Sequence, residues 1–188
     1  ASSALSSSQR SPVRRLVKAP AKPVSRATSC STSVIRAAGI KSMILNGSGV
    51  DGSYWMNAVP DLSNFYVPVQ GSVYGDDPNA KVNEFNKKYK EVTGGDPSSQ
   101  YVYPGYVLID VWAKAVERAK STDAAAVVAE LEKMNNEPTL FGPRTFTKDI
   151  HHQNQGRYLI VDTEAGKPKV IDQWTISEKI PLDYLVSK

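Results

Sequence analysis

Three glycines, Gly47, Gly49 and Gly52, stand in GxGxxG spacing, after an apolar run and before a short apolar stretch. Where such a turn joins a strand to a helix, its backbone can approach a dinucleotide pyrophosphate at the helix N-terminus. An acid about twenty residues later then holds the ribose. Here the following stretch ends at Pro60, and the first acids after the next strand are Asp76 and Asp77. The turn also carries Asp51, whose charge repels phosphate. Glycines needed only for a tight strand-to-helix turn would give the same spacing. Ser48 invites a nucleophile reading, but its flanks do not make GxSxG, and His151 or His152 would have to reach it from a remote polar loop. Asp149, His151 and His152 are a thin ligand set for a metal, and exposed loop histidines are the plainer account of them. Tyr101, Tyr103 and Tyr106 cluster beside Pro104 and Gly105, where tyrosines can line a cleft with an apolar wall and a polar tip. Core packing accounts for Tyr106 and Trp112 equally well.

The elements that must position these residues read as an α/β chain. Residues 42–46 form a short buried strand leading into the glycine turn, and residues 53–59 a short apolar helix. Residues 65–70 are a strand whose Pro68 demotes it to an edge or a crossing segment. Asp77 and Pro78 supply an N-cap and first helical position for a helix carrying Val82, Phe85, Tyr89 and Val92, which stops at Gly94 and Gly95. A longer helix over 99–120 presents Leu108, Val111, Trp112, Ala115 and Ala119 as one apolar stripe, with Pro104 and Gly105 kinking or delaying its start. Residues 121–123 cap a third helix through Met134. After a loop around Phe141, the strands at 158–163 and 169–174 flank a hairpin turn at 164–167.

Composition narrows the function classes. A chain of 188 residues with 40% hydrophobic and 22% charged residues can bury a core. It contains no apolar run of membrane-spanning length. A single cysteine, Cys30, excludes an internal disulfide framework and a cysteine-based zinc site. The net charge of +4 is unevenly placed: residues 1–36 hold seven basic groups and no acid, leaving sixteen basic against nineteen acidic groups in the rest. The basic segment has no aromatic residue to stack on a base, so no nucleic-acid partner is expected. Residues 1–33 are rich in Ser, Pro, Arg and Lys and read as a disordered tail of transit-peptide composition; residues 34–188 form the folded body.

Taken in order, IRAAGIKSMILNGSGVDGSYW, DPNAKVNEFNKKYKEVTGGDP, YVYPGYVLIDVWAKAVERAKSTDAAAVVAELEKM and FGPRTFTKDIHHQNQGRYLIVDTEAGKPKVIDQW resemble the C-terminal half of the periplasmic solute-binding proteins of branched-chain amino-acid ABC transporters. The resemblance implies a type I periplasmic-binding-protein fold of two Rossmann-like α/β lobes, present here in part. It implies no catalysis and no cofactor. The function it implies is cleft-closure binding of a branched-chain amino acid or related amide, delivered to an ABC permease from a periplasmic or other extracytoplasmic location. By that resemblance Ser48, Gly49 and Asp51 face the ligand, with Asp51 as the ammonium partner, while Tyr103 and Tyr106 line the cleft. The part of the family fold that this chain does not match would supply the grip on the carboxylate, so isolated affinity should be weak. The alternatives are an NAD-binding oxidoreductase of Rossmann type, using the three glycines, and a fragment that binds nothing.

Overall fold

In the computed structural model, residues 24–149, 151, 156–176 and 181 are described. His152 lies outside them, as do the basic residues and prolines of the tail up to Pro23. The chain opens on α1 (Val24–Ala37), which crosses the expected tail boundary at Ser33. The proline-free sequence from Val24 onward permits that helix, and Arg36 fastens its end by donating to the carbonyls of Ile40, Ser42 and Ser63 at 2.9, 2.9 and 2.7 Å.

A four-stranded sheet follows the order β1 (Ile44–Leu45), β2 (Phe65–Val69), β5 (Arg157–Glu164), β6 (Lys167–Thr175). β1 and β2 are parallel, and the other neighbours are antiparallel. β2 is therefore an inner strand and not the edge that Pro68 suggested. Its proline is tolerated for a geometric reason. The Tyr66 carbonyl accepts from Asn46 on the β1 side, so the even-numbered backbone groups of β2 face that way. β1 pairs only as far as Tyr66, so the N–H that Pro68 lacks would point past the end of β1. The β5–β6 hairpin turns through Ala165 and Gly166, at φ 48° and 70°, where two left-handed residues match the strand twist.

Between the sheet strands lie α2 (Ala80–Thr93), α3 (Val102–Ala119), α4 (Ala124–Leu131) and a small hairpin of β3 (Glu137–Thr139) and β4 (Gly142–Arg144), where the sequence suggested a loop. Asn79, not Asp77, caps α2, accepting from the Lys81 N–H at 3.1 Å; Gly94 closes it in the left-handed region. Asp77 is used deeper. Its buried carboxylate takes the Ser72 and Asn79 N–H groups and the Arg157 guanidinium, at 2.9, 2.7 and 2.9 Å. Pro104 falls in the first turn of α3, where no N–H is needed, so it neither kinks nor blocks the helix. α4 is capped by Asp123 and stops three residues before Met134.

Two apolar cores result. The first packs Trp55, Leu62, Phe65, Val67, Val69, Leu159 and Val161 beneath the sheet. The second packs Val82, Tyr103 and Phe141 between the helices and the small hairpin. Among the described residues no helix is long and apolar enough to cross a membrane.

Candidate functional site

The glycine turn lies at the border of the first core, to which its Val50 belongs. Instead of the expected helix over 53–59, the chain makes one short 3-10 turn at Ser48–Val50 and another at Met56–Ala58. Gly52 breaks the run and Pro60 ends it, while the Trp55 indole N–H donates back to the Val50 carbonyl at 3.0 Å. No helix long enough to hold a pyrophosphate starts here. Gly52 has a packing reason to be glycine: a Cβ there would overlap the Ser98 carbonyl oxygen. A Cβ on Gly47 or Gly49 would meet nothing within 4 Å. The GxGxxG spacing is thus the spacing of a tight turn with one close approach.

Asp51 is only 3% exposed and points at the start of α3. The Ser99 hydroxyl donates to its Oδ1 at 2.8 Å and the Gln100 N–H to its Oδ2 at 2.5 Å. The Tyr74 hydroxyl donates to its backbone carbonyl. Burial raises the Asp51 carboxyl above the usual range, opposed by the hydrogen bonds from Gln100 and Ser99. Gln100, 4% exposed, extends the joint. Its Oε1 accepts from the Gln70 N–H at the end of β2 (2.7 Å), and its Nε2 donates to the Ser48 carbonyl (3.4 Å). Glycine turn, β2 and α3 are fixed to one another by these two buried side chains.

What this joint holds at the surface is a small polar platform. Gly49 is exposed and Ser48 half-buried. The Ser48 Oγ lies 3.4 Å from the Tyr101 hydroxyl, and the Tyr54 hydroxyl donates to the Gly49 carbonyl at 2.9 Å. Burial, then the charge of Asp51, raises the Tyr54 phenol above its ordinary value, so it stays a neutral donor. Two tyrosine rings thus flank an open edge of serine hydroxyl and backbone. Such an edge can hold a small polar ligand by hydrogen bonds and ring contact.

Tyr103 and Tyr106 do not join it. Tyr103 is fully buried; its hydroxyl donates to the Ser72 carbonyl or to Asn86 Oδ1, at 2.8 and 2.7 Å, and its ring packs on Phe85 and Phe141. Tyr106, 50% exposed, stacks edge-on against Phe85 along an open groove of about 860 Å³ between α2, α3 and β3, whose lining includes neither Ser48, Gly49 nor Asp51. Of the tyrosine cluster read as cleft-lining, it is Tyr101 that reaches the platform, and Gln100, which the sequence did not single out, joins it; their place just before α3 is the readable signal. His151 meets Glu132, at the C-terminal cap of α4, at 3.0 Å while Ser48 meets Tyr101, so among the described residues no Ser–His pair forms. No group of three or more His, Cys, Asp or Glu side chains gathers as a metal site among the described residues.

The sequence pattern of the periplasmic binding proteins matches residues 26–168. No curated protein matches the chain. Among solved structures, the leucine-binding protein LivK of Thermotoga maritima superposes with a TM-score of 0.62 at 19% identity, over 79% of this chain and 42% of its own. The branched-chain amino acid transporter substrate-binding protein LivJ of Streptococcus pneumoniae, in complex with isoleucine, gives 0.64 at 17% identity, over 81% of this chain and 42% of its own. A type 1 periplasmic binding protein of Bordetella pertussis gives 0.61 at 18%, over 78% and 43%. At these identities the likeness is one of fold: a type I periplasmic-binding fold, of which this chain spans less than half the length seen in those structures.

Proposed function

The chain belongs to the periplasmic binding protein family, and from that premise we propose that it presents one wall of a solute-binding cleft that takes a small amino acid or related amide. Ser48, Gly49 and Tyr101 are the ligand-facing groups in this reading, with Tyr54 as the second flank. Asp51, expected as the ammonium partner, serves instead as the brace beneath them, since each of its oxygens already accepts from the start of α3. Tyr103 supports the same helix from the core, and Tyr106 lies outside the wall. The single observation that carries the proposal is the Ser48–Tyr101 contact on an open turn. Non-catalytic delivery to an ABC importer, outside the cytoplasm, goes with this reading. The isoleucine held by the Streptococcus pneumoniae protein supports a branched-chain ligand here.

Titration with leucine, isoleucine, valine and NAD, followed by tryptophan emission, tests it. Trp55 is buried directly behind the turn and hydrogen-bonded to it, so a ligand on the platform should change its signal. A saturable response to an amino acid, weakened by Ser48→Ala and by Tyr101→Ala, is expected, at low affinity because one wall supplies only part of the contacts. A response to NAD alone would overturn it.

A further inference from the structure

α3 has two apolar faces. Tyr103, Val111 and Ala115 are buried inside the molecule. The other face is largely open: Ile109 is 62% exposed and Trp112 46%, Gly105 is exposed and Ala113 and Val116 half-buried, while at the N-terminal end exposed Tyr106 rests edge-on against Phe85 and half-buried Val102 packs against the second core. At about 100° per residue these seven positions fall within an arc of about 120° centred on Ile109. No charged residue interrupts the arc. The charged groups of α3 lie outside it: Asp110 pairs with Lys114 at 2.9 Å, Arg118 with Glu130 and Glu137 at 3.8 and 3.3 Å, and exposed Glu117 stands about 80° from Ile109, beyond the edge of the arc. Single exposed apolar residues are ordinary; a continuous outward stripe on a helix whose opposite face is already buried marks a contact surface.

The stripe reads almost alike in both directions from Ile109. Tyr106 and Trp112 stand three residues to either side, Gly105 and Ala113 four, Val102 and Val116 seven. Two antiparallel copies of α3, related by a two-fold axis at Ile109, would set aromatic against aromatic, small against small and valine against valine. An isologous interface requires this self-complementarity, and the small pair lets the helices approach closely. We propose that the outward face of α3 seats a second copy of this chain in that antiparallel arrangement.

The stripe is about 21 Å long, which makes it a small interface whose dimer forms only at micromolar concentrations and above. The proposal does not depend on the ligand reading. Sedimentation equilibrium of the full chain should show a monomer–dimer equilibrium. Ile109→Asp should weaken it at least about tenfold with unchanged circular dichroism, whereas Val92→Asp, on exposed α2 surface, should not. In a Cys30→Ser background, Ile109→Cys should form a disulfide-linked dimer under mild oxidation, because only a residue at the axis meets its own copy; Val92→Cys should stay unlinked. A monomer at every concentration overturns the proposal. So does a dimer indifferent to Ile109→Asp, or an Ile109→Cys chain that stays unlinked.

Discussion

Asp51 and Tyr103 carry most of the buried polar work around the candidate site, and each can be separated from ligand contact by mutation. Asp51→Ala leaves the Gln100 N–H and the Ser99 hydroxyl without their acceptor, and an expected loss of about 1–3 kcal/mol should appear in chemical denaturation. The pH dependence has a definite sign. Burial raises the Asp51 carboxyl in the folded chain, so the folded state keeps its proton longer than the unfolded state. The Asp51 contribution to stability should therefore decline as pH rises from the ordinary carboxylate range through the raised value; a wild-type advantage over Asp51→Ala that grows across this window would contradict it. Tyr103→Phe keeps the ring but removes the bond shared by Ser72 and Asn86, costing about 1 kcal/mol or more by thermal or urea denaturation. Tyr101→Phe should leave stability unchanged. The three tyrosines were visible in the sequence, but their sides were not. At about 100° per residue, positions 103 and 106 lie about 60° apart on one side of α3, where both rings meet Phe85, whereas Tyr101 stands before the helix and is free to turn toward Ser48. The capacity of Asp51 to bind an ammonium was legible from residue type alone, whereas its capture by Ser99 and Gln100 depends on a contact about fifty residues away in sequence.

At the scale of elements, periodicity located α2, α3, α4 and the β5–β6 hairpin, because each has apolar residues at helical or alternating spacing and a turn or cap signal. It failed around the glycine turn. A seven-residue apolar stretch between Gly52 and Pro60 has no period long enough to separate a helix from two short 3-10 turns, and the Trp55–Val50 bond that favours the turns is local but side-chain specific. Pro68 was misleading for another reason: edge and inner strands differ by whether a neighbour exists opposite one particular N–H, and β1 ends just short of it. Gly52 gives this scale its test. Gly52→Ala should push the turn away from Ser98, lower stability by about 2 kcal/mol or more, and abolish the tryptophan response to ligand; Gly49→Ala, with open space around it, should leave stability nearly intact.

Across the whole molecule, order and spacing of loose motifs carried the family likeness, and the fold agrees with it over most of the described chain. Burial at this scale was less legible. Of the α3 stripe read as core, Val111 and Ala115 are buried while Leu108 and Trp112 are exposed, because a helix that is apolar on nearly every side does not reveal in its sequence which face the rest of the chain will cover. The Asp51–Gln100 joint ties the glycine turn to the segment that leads into α3, and the Ser48–Tyr101 edge is what that joint offers to solvent. The most direct test of the ligand-wall account is a two-dimensional amide NMR titration of the full chain with isoleucine to high millimolar concentration. The account expects progressive shifts confined to Ser48, Gly49, Gln100, Tyr101 and the Trp55 indole; a well-dispersed spectrum with shifts only around Phe85 and Tyr89 in the α2–α3 groove, or with none at all, would contradict it.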